Sequence, residues 1–250
     1  MKRHYGSMTI EMLATGIEEC VNNAGELIDD AHVLFNKGRI ARSTYILLCA
    51  EQEIGKVHIF SVMSQIPVTN RSMWKEAWDI VYGHRQKIVT SEMFRKDRNF
   101  TPTFSSLAYE AQNYDLNFSR SIEDLRQECL YVDYLESEKK WRSPKEIDID
   151  DCQQLMISME SKLKRVLFEK ETGLFTQEAL RLQHEELSSL FEEIYLLNKE
   201  GGLNLAEQDK TYLEAWRRYW KRLTDEKVVE LSDGDLLWGV PWREFIRGGD

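Results

Sequence analysis

The sequence predicts an all-α protein, and three observations support this prediction. The 250 residues include only 4 prolines and 13 glycines, so residues that interrupt helices are scarce. Apolar residues recur at steps of three and four along most of the chain, which is the helical period, and strand-like alternation is hard to find. Helix-favouring Leu, Glu, Lys, Gln and Met residues are abundant throughout.

The composition also excludes several classes of protein. The formal charge of −10 argues against a protein that coats nucleic acid through a general basic surface, although a local basic cleft is compatible with it. The longest stretch without Asp, Glu, Lys or Arg, residues 57–70, contains Pro67 and is too short for a membrane helix of roughly 20 residues. The N-terminus has no apolar segment typical of a signal peptide. We therefore expect a cytoplasmic protein.

The 4 cysteines lie far apart, in apolar helical patterns. Cys20, Cys49, Cys129 and Cys152 form no C-x-x-C pair, so we expect reduced core thiols rather than zinc ligands or disulfides. No cofactor and no metal are predicted.

The first periodic run predicts a long amphipathic helix that ends near Gly38. Its apolar positions are Ile10, Leu13, Ile17, Val21, Ala24, Leu27, Ile28, Ala31 and Leu34. A second helix over about 40–64 stops before Pro67, because the residue before a proline disfavours the helical conformation. A tight turn at Gly38 should join the two helices into an antiparallel hairpin.

Three further helices are predicted before residue 172. The third begins at Trp74 after a cap region at 70–72, and its pattern allows it to continue past Gly83 toward residue 94. The remaining elements are a polar loop at 95–103, a fourth helix at about 115–129, an irregular ordered loop at 130–143 and a fifth helix at 148–171.

The pattern changes after residue 172, and we divide the chain there. Residues 173–225 are predicted to form a C-terminal helical hairpin, and residues 226–250 an irregular aromatic tail. The return helix contains the segment 216–222, WRRYWKR, which interleaves aromatic residues with cations as nucleic-acid-binding surfaces do. Its aromatic residues recur at helical spacing, however, which favours a packed stripe with a solvated basic back face.

Three segments carry polar residues that are unusual for a plain bundle. In LLCAEQEIGKVHIF, Glu51 and Lys56 lie among apolar residues, and Glu53 is three residues before Lys56. These side chains form either surface ion pairs at helical spacing or a buried functional pair. In GHRQK, His84 and Lys87 share a helix face, so an imidazole that titrates near neutral pH stands beside a cation. A partly exposed histidine on a basic surface is the alternative.

The third segment, RQECLYVDY, runs from a helix end into a loop rich in hydrogen-bonding side chains. It contains Arg126, Tyr131 and Asp133. The alternative to a functional role is a loop held on the bundle by tyrosine and aspartate hydrogen bonds.

Taken in this order, and followed by Trp141 and Pro144, the three segments resemble the AbiV family of bacterial abortive-infection proteins. That family is grouped with the all-helical HEPN superfamily, many of whose members are toxin or defence ribonucleases. The resemblance covers about residues 10–170 and implies a HEPN-like helical domain over residues 1–172. The hairpin and the tail lie outside it.

The resemblance also implies which residues form a site. Glu51, Glu53 and Lys56 match the family's acidic-Gly-Lys element, His84 and Lys87 match its His-x-x-Lys element, and Arg126, Tyr131 and Asp133 match the element after the fourth helix. None of the 5 histidines completes the Arg-x4–6-His motif of HEPN ribonucleases. A nuclease of this sequence would therefore use a different set of residues.

If the chain cleaves RNA, the expected chemistry needs no metal, because one acid–base group near pH 7 and a cation on the phosphate suffice. His84 would be the acid–base group, Arg85, Lys87 and Arg126 would hold the phosphate, and Glu53 or Asp133 would orient His84. The resemblance implies a homodimer with two sites in one cleft. As a hypothesis, a phage protein or a phage-induced change releases the protein, which then blocks translation.

A second hypothesis is a non-enzymatic interaction module. In this hypothesis the polar residues form an internal network that fixes helix register, and the aromatic tail at 236–246 binds a phage or host protein.

Overall fold

The structure is a computed structural model that describes residues 3–84, 86–88, 90–91, 124–135, 139–200, 205–229, 236–237 and 240–241. The main helices of this part are α1 (Ile10–Asn36), α2 (Ile40–Met63), α3 (Arg71–Tyr82), α4 (Ile149–Glu171), α5 (Gln177–Glu200) and α6 (Leu205–Asp225). Two shorter pieces are also helical: residues 84, 86–88 and 90–91, named the 84–91 stretch, and residues 124–128, named the 124–128 stretch. The all-α prediction is confirmed.

The N-terminal hairpin forms as the sequence predicts. Thr9 starts α1, because its side chain accepts a hydrogen bond from the backbone N–H of Met12. Gly38 adopts a φ of +68° between α1 and α2, a conformation in which glycine has no steric penalty. The two helices then pack against each other along their length.

The third helix is shorter than the pattern allows. Asn70 caps α3 by accepting from the backbone N–H of Met73, and the helix ends at Tyr82. Gly83 has φ −78° and ψ 123°, which is extended backbone, and the 84–91 stretch begins after it. Gly83 therefore divides the predicted continuous helix into two, and the second piece can take a new direction.

Two of the predicted elements fall wholly or partly outside the described residues. The polar loop at 95–103 lies outside them, as do residues 115–123 of the predicted fourth helix. The helical conformation of the 124–128 stretch agrees with the end of that helix.

The segment 130–143, predicted as an irregular loop, contains a short β-hairpin. Strand β1 (Asp133–Leu135) pairs antiparallel with β2 (Lys140–Arg142), and Tyr134 lies opposite Trp141. A 3-10 turn at Pro144–Glu146 follows, and Asp148 caps α4 by accepting from the backbone N–H of Asp150. A second pair, β3 (Leu236–Leu237) with β4 (Val240–Pro241), lies in the predicted tail.

One hydrophobic cluster runs through the N-terminal helices and the C-terminal hairpin. It joins residues such as Leu13 and Trp74 to Phe191, Trp216 and Trp220. Trp216 and Trp220 are each only 7% exposed, which confirms the packed-stripe interpretation of the WRRYWKR segment. On the back face of that segment, Arg218 and Arg222 form ion pairs with glutamates of α5. The domain boundaries at 172 and 225 stay a prediction.

Within the described ranges, none of the helices combines the length and the apolar character needed to cross a bilayer.

Candidate functional site

One face of α2 carries a row of polar side chains. Tyr45, Cys49, Gln52, Glu53 and Lys56 follow one another at intervals of three and four residues, apart from the adjacent pair at 52 and 53, so they share this face. Glu53 and Lys56 form an ion pair at 2.5 Å, and their side chains are 17% and 22% exposed. This is the pair at helical spacing that the sequence indicated.

Glu51 lies on a different face of the same helix. It forms a buried ion pair with Lys162 of α4, and the two side chains are 2% and 5% exposed. A carboxylate this deeply buried needs a countercharge, because removal from water otherwise penalises its charged form. Neither sequence hypothesis for this helix holds as stated: Glu53 and Lys56 pair at helical spacing but are mostly buried, and the buried pair joins Glu51 to Lys162 on another helix.

Glu51 also lines an open pocket of about 360 Å³ between α2, the 124–128 stretch, residues 142–148 and the first half of α4. Carboxylates at its edge already have backbone partners: Glu146 accepts from the N–H of Ser143, and Asp148 from that of Asp150. These acidic groups therefore stabilise the turn and the start of α4.

The 84–91 stretch packs closely against α2 at Gly55. A Cβ atom added to Gly55 would lie 2.8 Å from the carbonyl carbon of Lys87 and closer still to its oxygen. Only a residue without a side chain permits the two backbones to approach this far. Gly55 therefore determines which part of α2 lies next to His84 and Lys87.

His84 is exposed but anchored. Its Nδ1 lies 2.8 Å from the side-chain Oε1 of Gln52. Gln52 itself is buried, with only 7% of the residue exposed. An amide oxygen can only accept, so Nδ1 carries the proton and donates. The lone pair of the neutral ring is then on Nε2.

Lys87 lies three residues after His84 and is only 8% exposed. Burial lowers the pKa of Lys87 from its ordinary value, and the positive charge of Lys56 lowers it further, while Glu53 opposes both effects. Glu53 also accepts a hydrogen bond from the thiol of Cys20 on α1, and burial is the main cause that raises the pKa of this thiol to about 12. Two lysines thus face one carboxylate in a partly dry environment.

Arg126, in the 124–128 stretch, reaches the same face of α2. It hydrogen-bonds to the hydroxyl of Tyr45, and Tyr45 in turn bonds to Cys49. Burial raises the pKa of Cys49, whereas the positive charges of Arg126 and Lys87 lower it. Because both cations act on one thiol, Arg126 and Lys87 lie on the same side of the molecule.

The structure therefore brings together most of the residues that the sequence singled out. Around the polar face of α2 it places Glu53, Lys56, His84, Lys87 and Arg126, which we name the α2 polar cluster. Tyr131 follows the 124–128 stretch and is 55% exposed. Arg85 and the side chain of Asp133 lie outside the described residues.

Sequence reasoning missed Gln52, Gly55 and Lys162. A glycine inside a long helix is a detectable signal, since it costs about 1 kcal/mol relative to alanine and so indicates a close approach. Gln52 and Lys162 carried no signal, because their partners lie 32 and 111 residues away in the sequence.

The cluster combines an exposed imidazole with three cations and one carboxylate. An imidazole is an acid–base group and cations bind anionic oxygens, so the set carries the two kinds of group that a phosphate-cleaving site needs. Among the described residues, no group of three or more His, Cys, Asp or Glu side chains could hold a metal ion.

The described part of the chain is consistent with an all-α, HEPN-like bundle. The family model described as AbiV, HEPN_AbiV, matches residues 12–165, from α1 into α4. This is more than half of the chain, and the chain therefore belongs to the AbiV family of HEPN proteins. Membership indicates a role in abortive infection, a form of antiphage defence. No curated protein and no solved structure gives a significant match.

Proposed function

We propose that this protein acts in antiphage defence as a metal-independent endoribonuclease that blocks translation when phage infection releases it. The observation that supports this most directly is the anchored, exposed His84 beside Lys87, on a face that also holds Lys56 and Arg126. An imidazole with one nitrogen held by Gln52 and the other in its basic form is suited to take a proton near pH 7.

In the proposed reaction, Nε2 of His84 takes the proton of a ribose 2′-hydroxyl. The 2′-oxygen forms a bond to the adjacent phosphorus while the bond from phosphorus to the 5′-oxygen breaks. The departing 5′-oxygen takes a proton from solvent, so the products are a 2′,3′-cyclic phosphate and a 5′-hydroxyl. Lys87, Lys56 and Arg126 stabilise the negative charge that grows on the phosphate oxygens.

We further propose a homodimer in which two copies of the cluster share one cleft, and a phage protein as the trigger. Doubling the three cations would create a local positive site on a chain whose total charge is −10. Localisation in the cytoplasm fits this role, since RNA and phage proteins are both present there.

The test compares wild type with His84→Ala in phage-infected cells. We expect wild type to generate new RNA ends with 5′-hydroxyl groups and to stop amino-acid incorporation, and His84→Ala to do neither. The matched control is His32→Ala, because His32 is also a partly exposed histidine with a hydrogen-bonded partner, Glu160 at 2.8 Å. Indistinguishable RNA ends in wild type and His84→Ala would refute the assignment.

A second candidate, a non-enzymatic interaction module, is favoured by one observation. Glu53, Lys56, Cys20 and Lys87 neutralise or bond one another inside the protein, as a structural network would. This candidate predicts that His84→Ala keeps full protection against phage, provided that the variant folds as wild type does.

A further inference from the structure

We infer that Gln52 is a positioning residue: it holds the His84 imidazole in the tautomer with the proton on Nδ1, which leaves the basic lone pair on Nε2. The inference rests on the proposed function in naming His84 as the base and RNA as the substrate. The contact itself, 2.8 Å from Nδ1 to Oε1, is a property of the described structure.

Gln52 has a fixed position in the core-facing part of α2. It lies in the middle of the helix and is 7% exposed, with buried Leu48 and Ile54 close by on the same helix. A buried side chain on a packed helix has little rotational freedom, so its amide oxygen is a fixed acceptor. His84, by contrast, is exposed and just follows the break at Gly83, and an unanchored ring there could rotate.

The contact with Gln52 also selects the tautomer of the His84 ring. An imidazole in water prefers to carry its proton on Nε2, which would leave that nitrogen unable to take a proton from a substrate. A carbonyl oxygen facing Nδ1 reverses the preference, because only the Nδ1–H form can donate to it. Gln52 therefore determines which nitrogen is the base.

Gln52 carries no charge, which matters for the protonation of the ring. A carboxylate in place of the amide would favour the protonated ring, as an opposite charge within about 4–6 Å raises a histidine pKa by one or more units. The neutral amide orients the ring without this effect. Among the described residues, the charged groups of the α2 polar cluster beside His84 are Glu53, Lys56, Lys87 and Arg126, and the ion pair of Glu53 with Lys56 at 2.5 Å limits the field of the carboxylate.

The test is nitrogen NMR of protein labelled with ¹⁵N-histidine, in which the loss of signals in His84→Ala assigns the His84 ring among the 5 histidines. We expect wild type to show mainly the Nδ1–H form. Gln52→Leu removes the acceptor and should shift the ring toward the Nε2–H form. Gln52→Glu keeps the acceptor at the same reach, so it should keep the Nδ1–H form and raise the His84 pKa by about one unit.

Gln65→Leu controls for the general cost of losing a buried glutamine. Gln65 is 0% exposed, follows α2 and accepts a hydrogen bond from Tyr212 at 3.0 Å, so its replacement perturbs packing away from His84. The His84 tautomer should not change in this variant. A wild-type ratio of tautomers in Gln52→Leu, or an altered ratio in Gln65→Leu, would overturn the inference.

The pH dependence of RNA cleavage supplies a second readout. We expect the acidic limb of the rate profile to move to higher pH in Gln52→Glu by the same interval as the His84 pKa, which a purely structural role would not produce. A limb that stays in place while the His84 pKa moves would overturn the assignment of Gln52 to the reaction. If wild type cleaves no RNA, the proposed function fails, whereas the NMR data still decide whether Gln52 sets the tautomer.

Discussion

Replacing Gly55 by alanine tests how the 84–91 stretch is held on α2. The added Cβ would lie 2.8 Å from the carbonyl carbon and 3.1 Å from the Cα of Lys87, and nearer to its carbonyl oxygen. Real Cβ contacts stay above about 3.0 Å, and the atoms it meets are backbone. The stretch must therefore move away from α2, because it cannot relieve the contact by rotating a side chain.

Two opposing effects set the magnitude of this change. Alanine is favoured over glycine inside a helix by about 1 kcal/mol. Overpacking costs about 1–3 kcal/mol, and loosening the stretch also weakens the burial of Ile88, which is 1% exposed and whose full burial is worth about 1.5–3 kcal/mol. We expect Gly55→Ala to lower the free energy of unfolding by about 1–2 kcal/mol.

Gly25→Ala is the matched control. Gly25 lies inside α1, and a Cβ there would meet only the Cδ2 atom of Leu163 at 3.9 Å, an ordinary van der Waals distance. This variant should gain stability by about 0.5–1 kcal/mol through helix propensity alone. The two substitutions are chemically identical, so opposite signs would isolate the contact with Lys87.

Urea unfolding followed by circular dichroism measures both variants, since a shift of midpoint at constant slope reports stability. The ¹⁵N-histidine spectrum of His84 supplies a local readout, which should change in Gly55→Ala and not in Gly25→Ala. Equal stabilisation by the two alanines, with an unchanged His84 signal, would refute the close approach of Lys87 to Gly55.

Three further predictions concern other parts of the molecule. Lys162→Met should lower the free energy of unfolding by about 3–5 kcal/mol, because the buried carboxylate of Glu51 loses this cation. The double variant Glu51→Leu with Lys162→Met should recover most of that loss. A loss below about 1 kcal/mol for Lys162→Met in urea unfolding would contradict the buried pair. Burial, with a smaller effect of Arg165, lowers the pKa of His58 to about 3, so the unfolded chain binds the extra proton. The contribution of neutral His58 to the free energy of unfolding should therefore be fully present above pH 6.5. Below pH 6.5 the free energy of unfolding should decrease by up to about 1.4 kcal/mol per pH unit, and His58→Gln should remove this slope between pH 6.5 and 5.5. Arg222→Ala should leave RNA affinity, measured by fluorescence anisotropy, unchanged, because this guanidinium already pairs with three carboxylates. A several-fold weaker affinity would instead indicate that the WRRYWKR segment binds RNA.

The sequence alone predicted the all-α class, the bounds of α1 and α2, the turn at Gly38 and the burial of the aromatic stripe in α6. These features depend on local periodicity and on the conformational preferences of single residues, which act over a few positions. The motif elements also led to the correct family, as the match over residues 12–165 shows. For the polar residues, the sequence could name candidates but left open which of them meet.

Only the tertiary structure shows which of these polar side chains contact one another. Glu51 and Glu53 are two residues apart with similar neighbours, yet one pairs with Lys162 on α4 and the other with Lys56 on its own helix. His84 and Gln52 are 32 residues apart, so no periodic pattern in the sequence links them. The break at Gly83, which lets the 84–91 stretch lie on α2, also has no periodic signal. Helix formation is governed by residues near in sequence, whereas the choice of polar partners depends on which helix faces the packing of the core brings into contact.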